Sequence, residues 1–250
     1  MTRLAPEFDR LYAAVPNGGT SDGALIGPGG EVRALVMELT APPAWDSLGQ
    51  VWRGVQVDLG FPAPAIAVSG IDGLQLWFSL AQAVSAPDGH AFLHALSRRF
   101  LPDVPVRRLR LFPNPVSGHA RPVPECRTAS GDWSAFVAPD LAPVFGDTPW
   151  LDIPPSDEGQ AALLAGLTSI PRAAFDAAVA LLGDEGSVPA VATIADPAEH
   201  DAAAAAALRV DPTDDPLLFL QQVMSNERVP LALRVEAAKA LLAHRGGGGR

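Results

Sequence analysis

Residues 65–100 read AIAVSGIDGLQLWFSLAQAVSAPDGHAFLHALSRRF, and changes of pattern within that stretch decide the fold. AIAVS (65–69) and LQLWFSL (74–80) are short runs of aliphatic, β-branched and aromatic residues, a composition that suits a pleated, buried surface. GIDG joins them as a hairpin-like turn, where Gly70 and Gly73 free the backbone for positive φ. From Pro87 the period becomes helical. Phe92, Leu93, Leu96 and Phe100 make one inward stripe, and proline suits the first turn because its missing N–H has no intrahelical partner there. The stretch predicts strand, turn, strand, helix.

Working outward, EVRALVMEL (31–39) reads as a nearly continuous apolar strand that ends at Ala41-Pro42-Pro43. Trp45, Leu48, Trp52, Val55 and Leu59 recur at spacings of three and four, which predicts a helix over 44–59. VRRLRLF (106–112) alternates apolar residues with arginine, the pattern of a strand with one wet face, so Arg108 and Arg110 should share a face and Arg107 take the other. A further strand is predicted at Trp133–Ala138, and the glycine-rich stretch 17–31 is predicted to be a loop. The expected class is α+β: a palm- or RRM-like antiparallel sheet with helices on one face, burying Trp45, Trp52, Leu59, Phe92 and Leu96. After Asp152 the chain turns rich in Ala and Leu with helical periodicity. The expected domains are therefore an α+β domain over 1–150, a small all-α module over 151–245 and a glycine tail over 246–250.

Of the 250 residues, 48% are apolar and 18% charged, which excludes wholesale disorder. No apolar run approaches the ~18 residues of a membrane-spanning helix. MTRLAPEFDR places Glu7, Asp9 and Arg10 where an export signal needs its apolar stretch. The single cysteine, Cys126, excludes an internal disulfide framework and a cysteine-rich zinc site. A reduced, cytoplasmic chain is expected. Net charge is −10, yet residues 98–127 hold seven arginines against Asp103 and Glu125. Such a band is either a local site for phosphates or a nucleic-acid backbone, or the solvated face of a strand. On a scaffold reading, the acidic helical half would be the surface for a protein partner.

G-x-S-x-G, the P-loop, G-x-G-x-x-G and H-E-x-x-H are all absent. His90 and His94 stand four apart on the second predicted helix without a third metal ligand nearby, and Cys126 has only Arg127 to activate it. The informative element is the 69–73 turn, whose backbone N–H groups and Ser69 hydroxyl can either cradle phosphate oxygens or form an ordinary glycine hairpin.

The order Ser69-Gly70, Gly73, a hydrophobic residue, Gln75, and then a helix resembles the second motif of archaeo-eukaryotic primases. That superfamily includes the polymerase domain of bacterial end-joining ligases and the primase-polymerases of phage and mobile elements. LVMELTAPP (35–43) with the helix after it is similar to the first-motif strand. LRLFPN (109–114), VPE (123–125) and WSAFVAPD (133–140) are similar to the later segments, so the resemblance spans roughly residues 31–140. It implies a palm sheet with nucleotide or phosphate contacts at Ser69, Gly70, Gly73 and Gln75, supported by Arg108 and Arg110. Polymerising members carry Asp-x-Asp on the first strand to bridge two metal ions. Glu38-Leu39-Thr40 stands in its place here, the second-motif histidine falls on Gln75, and the third-motif aspartate falls on Ala138, two residues before Asp140. The expectation is a divergent domain that binds single-stranded nucleic acid or nucleotide with little or no polymerase activity, and it names no cofactor. The alternatives are an active nucleotidyltransferase, with catalytic Glu38 and a Mg or Mn site rearranged around Glu38 and Asp140, or a non-catalytic scaffold for protein contacts.

Overall fold

Nine of the ten residues of β1 (Glu31–Thr40) are buried. Alternation divides them between two cores, with Leu35, Met37 and Leu39 on one side and Ala34 and Val36 on the other. A strand that is apolar on both faces belongs in the middle of a covered sheet, and β1 pairs on both edges. The computed structural model describes residues 3–15, 24–42, 45–128 and 131–184. After α1 (Leu4–Tyr12) and β1 come α2 (Trp45–Val57), β2 (Ala65–Val68), β3 (Gly73–Ser85), α3 (Ala86–Phe100) and β4 (Leu109–Phe112). Then follow β5 (Glu125–Cys126), β6 (Trp133–Val137), α4 (Asp157–Ala165) and α5 (Arg172–Asp184). The sheet order is β4-β1-β3-β2-β6-β5, and every neighbouring pair is antiparallel. The class is α+β, as the sequence predicts.

The strand, turn, strand, helix reading of 65–100 holds. Val68 pairs with Leu74 across the turn, and β3 runs straight into α3. Ser85 caps α3, its hydroxyl accepting the Asp88 N–H at 3.2 Å. α2 and α3 lie on the same face, where Leu48, Val51, Val55, Phe92, Leu93 and Leu96 are buried. Trp45, Trp52 and Leu59 are half-buried instead of fully buried, because the inner stripe of α2 is Leu48, Val51 and Val55. Trp52 keeps its indole at the rim and donates to the Pro64 carbonyl at 3.0 Å.

Helices cover both faces of the sheet, not one. α5 joins α2 and α3 through Phe175, Ala178 and Leu182, whereas α1 and α4 pack over Ala34, Val36, Ala67, Trp77 and Phe136 on the opposite face. Glu7, Asp9 and Arg10 form the wet side of α1, with Arg10 paired to Glu7 at 2.8 Å. Its inner side buries Phe8, Leu11 and Tyr12, at about 1.5–3 kcal/mol per large apolar side chain. Buried Arg33 closes the C-terminal end of α1 by donating to the carbonyls of Arg10 (3.0 Å) and Ala13 (3.3 Å), and to Leu80 (3.0 Å). Burial, and then the charge of Arg10, hold the Arg33 pKa below the ordinary arginine value.

α4 is stitched to β6. The Gln160 amide accepts the Phe136 N–H at 2.7 Å and donates to the Phe136 carbonyl at 3.0 Å, completing the ladder beyond the two-residue β5. The first compact unit runs from Met1 to Val188, so the boundary expected at residue 150 falls inside it, and α4 and α5 belong to the sheet's own packing. The rest of the predicted helical module and the 246–250 tail lie outside the described residues. Among the described residues, no helix is long and apolar enough to cross a membrane.

Tyr12 sits between Trp77 (ring centroids 5.2 Å) and Phe136 (6.1 Å, stacked), and among the described residues its hydroxyl has no hydrogen-bond partner. Burial raises its pKa far above the usual tyrosine value. Removing an unsatisfied buried hydroxyl while keeping the ring relieves a desolvation cost, so Tyr12→Phe should stabilise the fold by about 1 kcal/mol in urea denaturation. A loss of stability would mean that the hydroxyl is held by a buried water.

Candidate functional site

Arg110 on β4, Glu38 on β1 and Gln75 on β3 stand opposite one another in the ladder, forming one row across the sheet. The α1/α4 face is apolar at the Val36–Trp77 end and polar at the Glu38–Gln75 end. The Glu38 side chain is 5% exposed, and both its oxygens are engaged. Oε1 accepts Arg110 Nη1 at 2.7 Å, and Oε2 accepts Gln75 Nε2 at 2.7 Å. Gln75 Oε1 in turn accepts the Trp77 indole N–H at 2.8 Å, which fixes which end of the amide faces the carboxylate. Arg110 also grips Asp72 through Nη1 (3.0 Å) and Nη2 (3.2 Å). Desolvation works against its charge, but the hydrogen bonds and charges of Asp72 and Glu38 outweigh it and hold its pKa above the ordinary arginine value.

The 69–73 turn satisfies itself. Ser69 Oγ accepts the N–H groups of Ile71 (3.2 Å), Asp72 (3.1 Å) and Gly73 (2.9 Å), so amides expected to cradle a phosphate are already bound to their own serine. Gly70 is required by packing. Its φ is +78°, and a Cβ there would lie 2.6 Å from Ser134 N; its own N–H donates to the Pro149 carbonyl at 3.0 Å. A Cβ at Gly73 would meet the Leu39 carbonyl at 2.9 Å and the Glu38 side chain.

Segment 113–127 closes the other side. Pro113 has no N–H to continue β4, and His119 takes over along the edge of β1 by donating from Nε2 to the Ala34 carbonyl at 3.0 Å. Its Nδ1 accepts the Ala120 N–H at 2.8 Å, which requires the neutral ring. Burial lowers its pKa. Arg127 is buried and ties the segment to the turn. It donates to the carbonyls of Ser69 (3.2 Å), Arg121 (3.2 Å) and Pro122 (2.7 Å) and pairs with Glu125. Burial lowers the Arg127 pKa, against the opposing pull of Glu125. Arg121 pairs with Glu125 at 2.6 Å and projects outward.

These groups enclose a cleft of about 150 Å³ lined by Glu38, Ser69, Gln75, Arg110, Arg121 and Arg127, with His119, Ile71 and Phe112 beside them. Of the residues expected from sequence, Glu38, Ser69, Gln75 and Arg110 therefore meet in one place, and Gly70 and Gly73 shape its turn. Arg108 does not join them. Residues Val106–Arg108 form a 3₁₀ turn and β4 begins only at Leu109, so the alternation expected over 106–112 does not apply. Arg108 points to the Thr40 and Pro42 carbonyls instead. Asp140 is exposed in the turn after β6, apart from the cleft lining. Arg121, Arg127 and His119 were absent from the sequence expectation. The arginine band contains both arginines, but only the long-range bonds of segment 113–127 single them out.

A divalent ion does not fit this arrangement. Every carboxylate oxygen of Glu38 and Asp72 accepts from a protein N–H, and the Arg110 guanidinium lies between them where a bridging cation would sit. Among the described residues, no group of three or more His, Cys, Asp or Glu converges. His90 contacts the Pro113 carbonyl at 2.9 Å while His94 is exposed, so the pair does not form a metal site. Cys126 is exposed and donates weakly to the Thr128 carbonyl at 3.4 Å.

Arg110→Ala leaves Glu38 with one partner, and because Arg110 is half-exposed the expected cost is about 1–3 kcal/mol in urea denaturation. Adding Glu38→Gln should recover most of that loss, since the unpaired charge disappears. A second expectation concerns pH. The unfolded chain protonates His119 near the ordinary value of 6.5, and the native chain only at lower pH. Between those values the unfolded state binds more protons, so stability falls as pH drops below 6.5. Thermal melts from pH 7.5 to 5 should show this decline, and His119→Gln should flatten it.

Compared with models of known protein families and with curated proteins, the chain matches none.

Proposed function

We propose that residues 31–140 form a primase-polymerase-like palm domain that binds single-stranded nucleic acid or nucleotide and carries out little or no nucleotide addition. The segment β1-α2-β2-β3-α3-β4, in the spatial order β4-β1-β3-β2, follows the ferredoxin-like split β-α-β plan on which palm and RRM sheets are built. The cleft opens on that sheet's face, beside the row that holds Glu38 and Gln75. Phe112 and Arg110 sit two residues apart on β4, a pairing of aromatic ring and cation that suits stacked bases and phosphates.

One observation carries the reduced chemistry. Two-metal phosphoryl transfer needs carboxylates free to bridge ions about 3.5–4 Å apart. Here Arg110 bridges Glu38 and Asp72 with contacts of 2.7 and 3.0 Å, so a fixed protein cation occupies that position. The guanidinium supplies positive charge to a bound phosphate but no activated oxygen and no exchangeable coordination position. The net charge of −10 opposes polyanions, so affinity of micromolar order or weaker is expected. This reading suits a cytoplasmic chain, with access to nucleotides and single strands.

Purified protein given primer, template, nucleoside triphosphates and Mg²⁺ or Mn²⁺ should show no extension. Robust extension that Glu38→Gln abolishes would establish the active nucleotidyltransferase instead. A labelled single strand should bind with an affinity that falls as salt rises, at a log–log slope of about −0.7 per phosphate contacted. Absence of any binding to single strands or nucleotides would remove the reading.

A further inference from the structure

We infer that the cleft is a metal-independent oxyanion site for a phosphate group and that Arg121 is its principal contact; the inference rests on the proposed function only for the source of that phosphate. The argument comes from the hydrogen-bonding capacity left over once the protein's own contacts are made. Acceptors that face the cleft are engaged. Glu38 Oε1 and both Asp72 oxygens are held by Arg110, and Glu38 Oε2 is held by Gln75. Gln75 Oε1 is taken by Trp77, His119 Nδ1 by the Ala120 amide, and Ser69 Oγ by three amides of its turn.

Donors remain. Arg121 uses Nη2 on Glu125, its side chain is 55% exposed, and its other N–H groups are uncommitted among the described residues. Arg110 spends both Nη1 hydrogens and one Nη2 hydrogen on carboxylates and keeps Nε and the other Nη2 hydrogen. The Ser69 hydroxyl hydrogen is likewise uncommitted among the described residues, because the three contacts of that group are made to its oxygen. A lining that offers N–H and O–H groups and little accepting capacity selects a ligand made of acceptors. A phosphate oxyanion meets that demand, and a guanidinium paired with it gives short, charge-assisted bonds. A divalent cation would have to displace Arg110 from both carboxylates.

Size narrows the ligand further. The cleft of about 150 Å³ lies well below the roughly 300–1,000 Å³ of sites that engulf a whole small molecule. It takes one phosphate group, with the attached sugar or base left at the rim against Ile71 and Phe112. Arg127 commits four of its five N–H groups to Glu125 and the backbone carbonyls, and its side chain is 3% exposed, so its main role is to hold segment 119–127 in place.

The test uses the full chain in EDTA, titrated with inorganic phosphate by calorimetry and then with ATP and with an oligothymidylate lacking terminal phosphates. Wild type should bind phosphate without metal, and Arg121→Ala should weaken binding roughly tenfold, the effect of losing a charged hydrogen bond. Arg107→Ala removes the same charge from the exposed turn before β4 and should change it little; circular dichroism verifies that both variants fold. Competition by ATP alone identifies a free nucleotide as the source, and competition by the oligomer alone identifies a strand backbone. Absence of phosphate binding, a requirement for Mg²⁺, or equal losses in the two variants would overturn the site. An oligomer that binds without being displaced by phosphate would also overturn it while leaving the nucleic-acid reading intact. Phosphate binding with no competition from ATP or oligomer would do the reverse.

Discussion

A carboxylate in the middle of a sheet is tolerated only when its charge is met on the spot, because an unpaired buried ion costs several kcal/mol. Glu38 imposes that condition on its neighbours. Arg110 has to stand opposite on β4 and Gln75 opposite on β3, and the observed register places both there. Slipping either strand by one residue would turn its partner to the α2/α3 face and leave the charge bare. The ion pair and the amide therefore act with the apolar alternation to fix how the three strands pair.

The same row divides one face of the sheet into two environments. Toward Trp77 and Phe136 the surface is apolar, and α1 and α4 cover it. Toward Glu38 and Ser69 it is polar and stays open. Side chains finish the strand edges where backbone pairing stops, His119 along β1 and Gln160 along β6. Such substitutions let short strands end inside a packed structure without orphaned backbone groups, and His119 thereby also anchors the segment that brings Arg121 to the cleft.

Much of this was legible from local pattern. The turn at 69–73, the helix that opens around Pro87 and the strand around Glu38 are encoded within a few residues each, through glycine, proline and apolar runs. Other features depend on distant partners. Arg108 and Arg110 look equivalent in VRRLRLF, but the Arg108 N–H closes a turn to the Pro105 carbonyl at 2.9 Å, and its guanidinium finds Thr40 and Pro42. Arg127 and Arg121 are neighbours in sequence with opposite fates, one buried against carbonyls and one outward. The helix at 4–12 lies outside the predicted elements, because its inner stripe of Phe8, Leu11 and Tyr12 is short and interleaved with Glu7, Asp9 and Arg10. The second covered face depends on that helix and on α4, whose hydrogen bonds to β6 come from a single glutamine that periodicity does not distinguish.

The bond between the Trp77 indole and Gln75 has an optical consequence. Trp45, Trp52, Trp133 and Trp150 are all half-buried, and Trp77 alone among the five tryptophans is wholly enclosed, so its emission should lie at the blue edge of the protein's fluorescence. Its N–H touches the amide that holds Glu38, two hydrogen bonds from the floor of the cleft. An event that rotates that amide or neutralises that carboxylate changes the local field on the indole. The protein thus carries a built-in chromophore that reports on its cleft without a label.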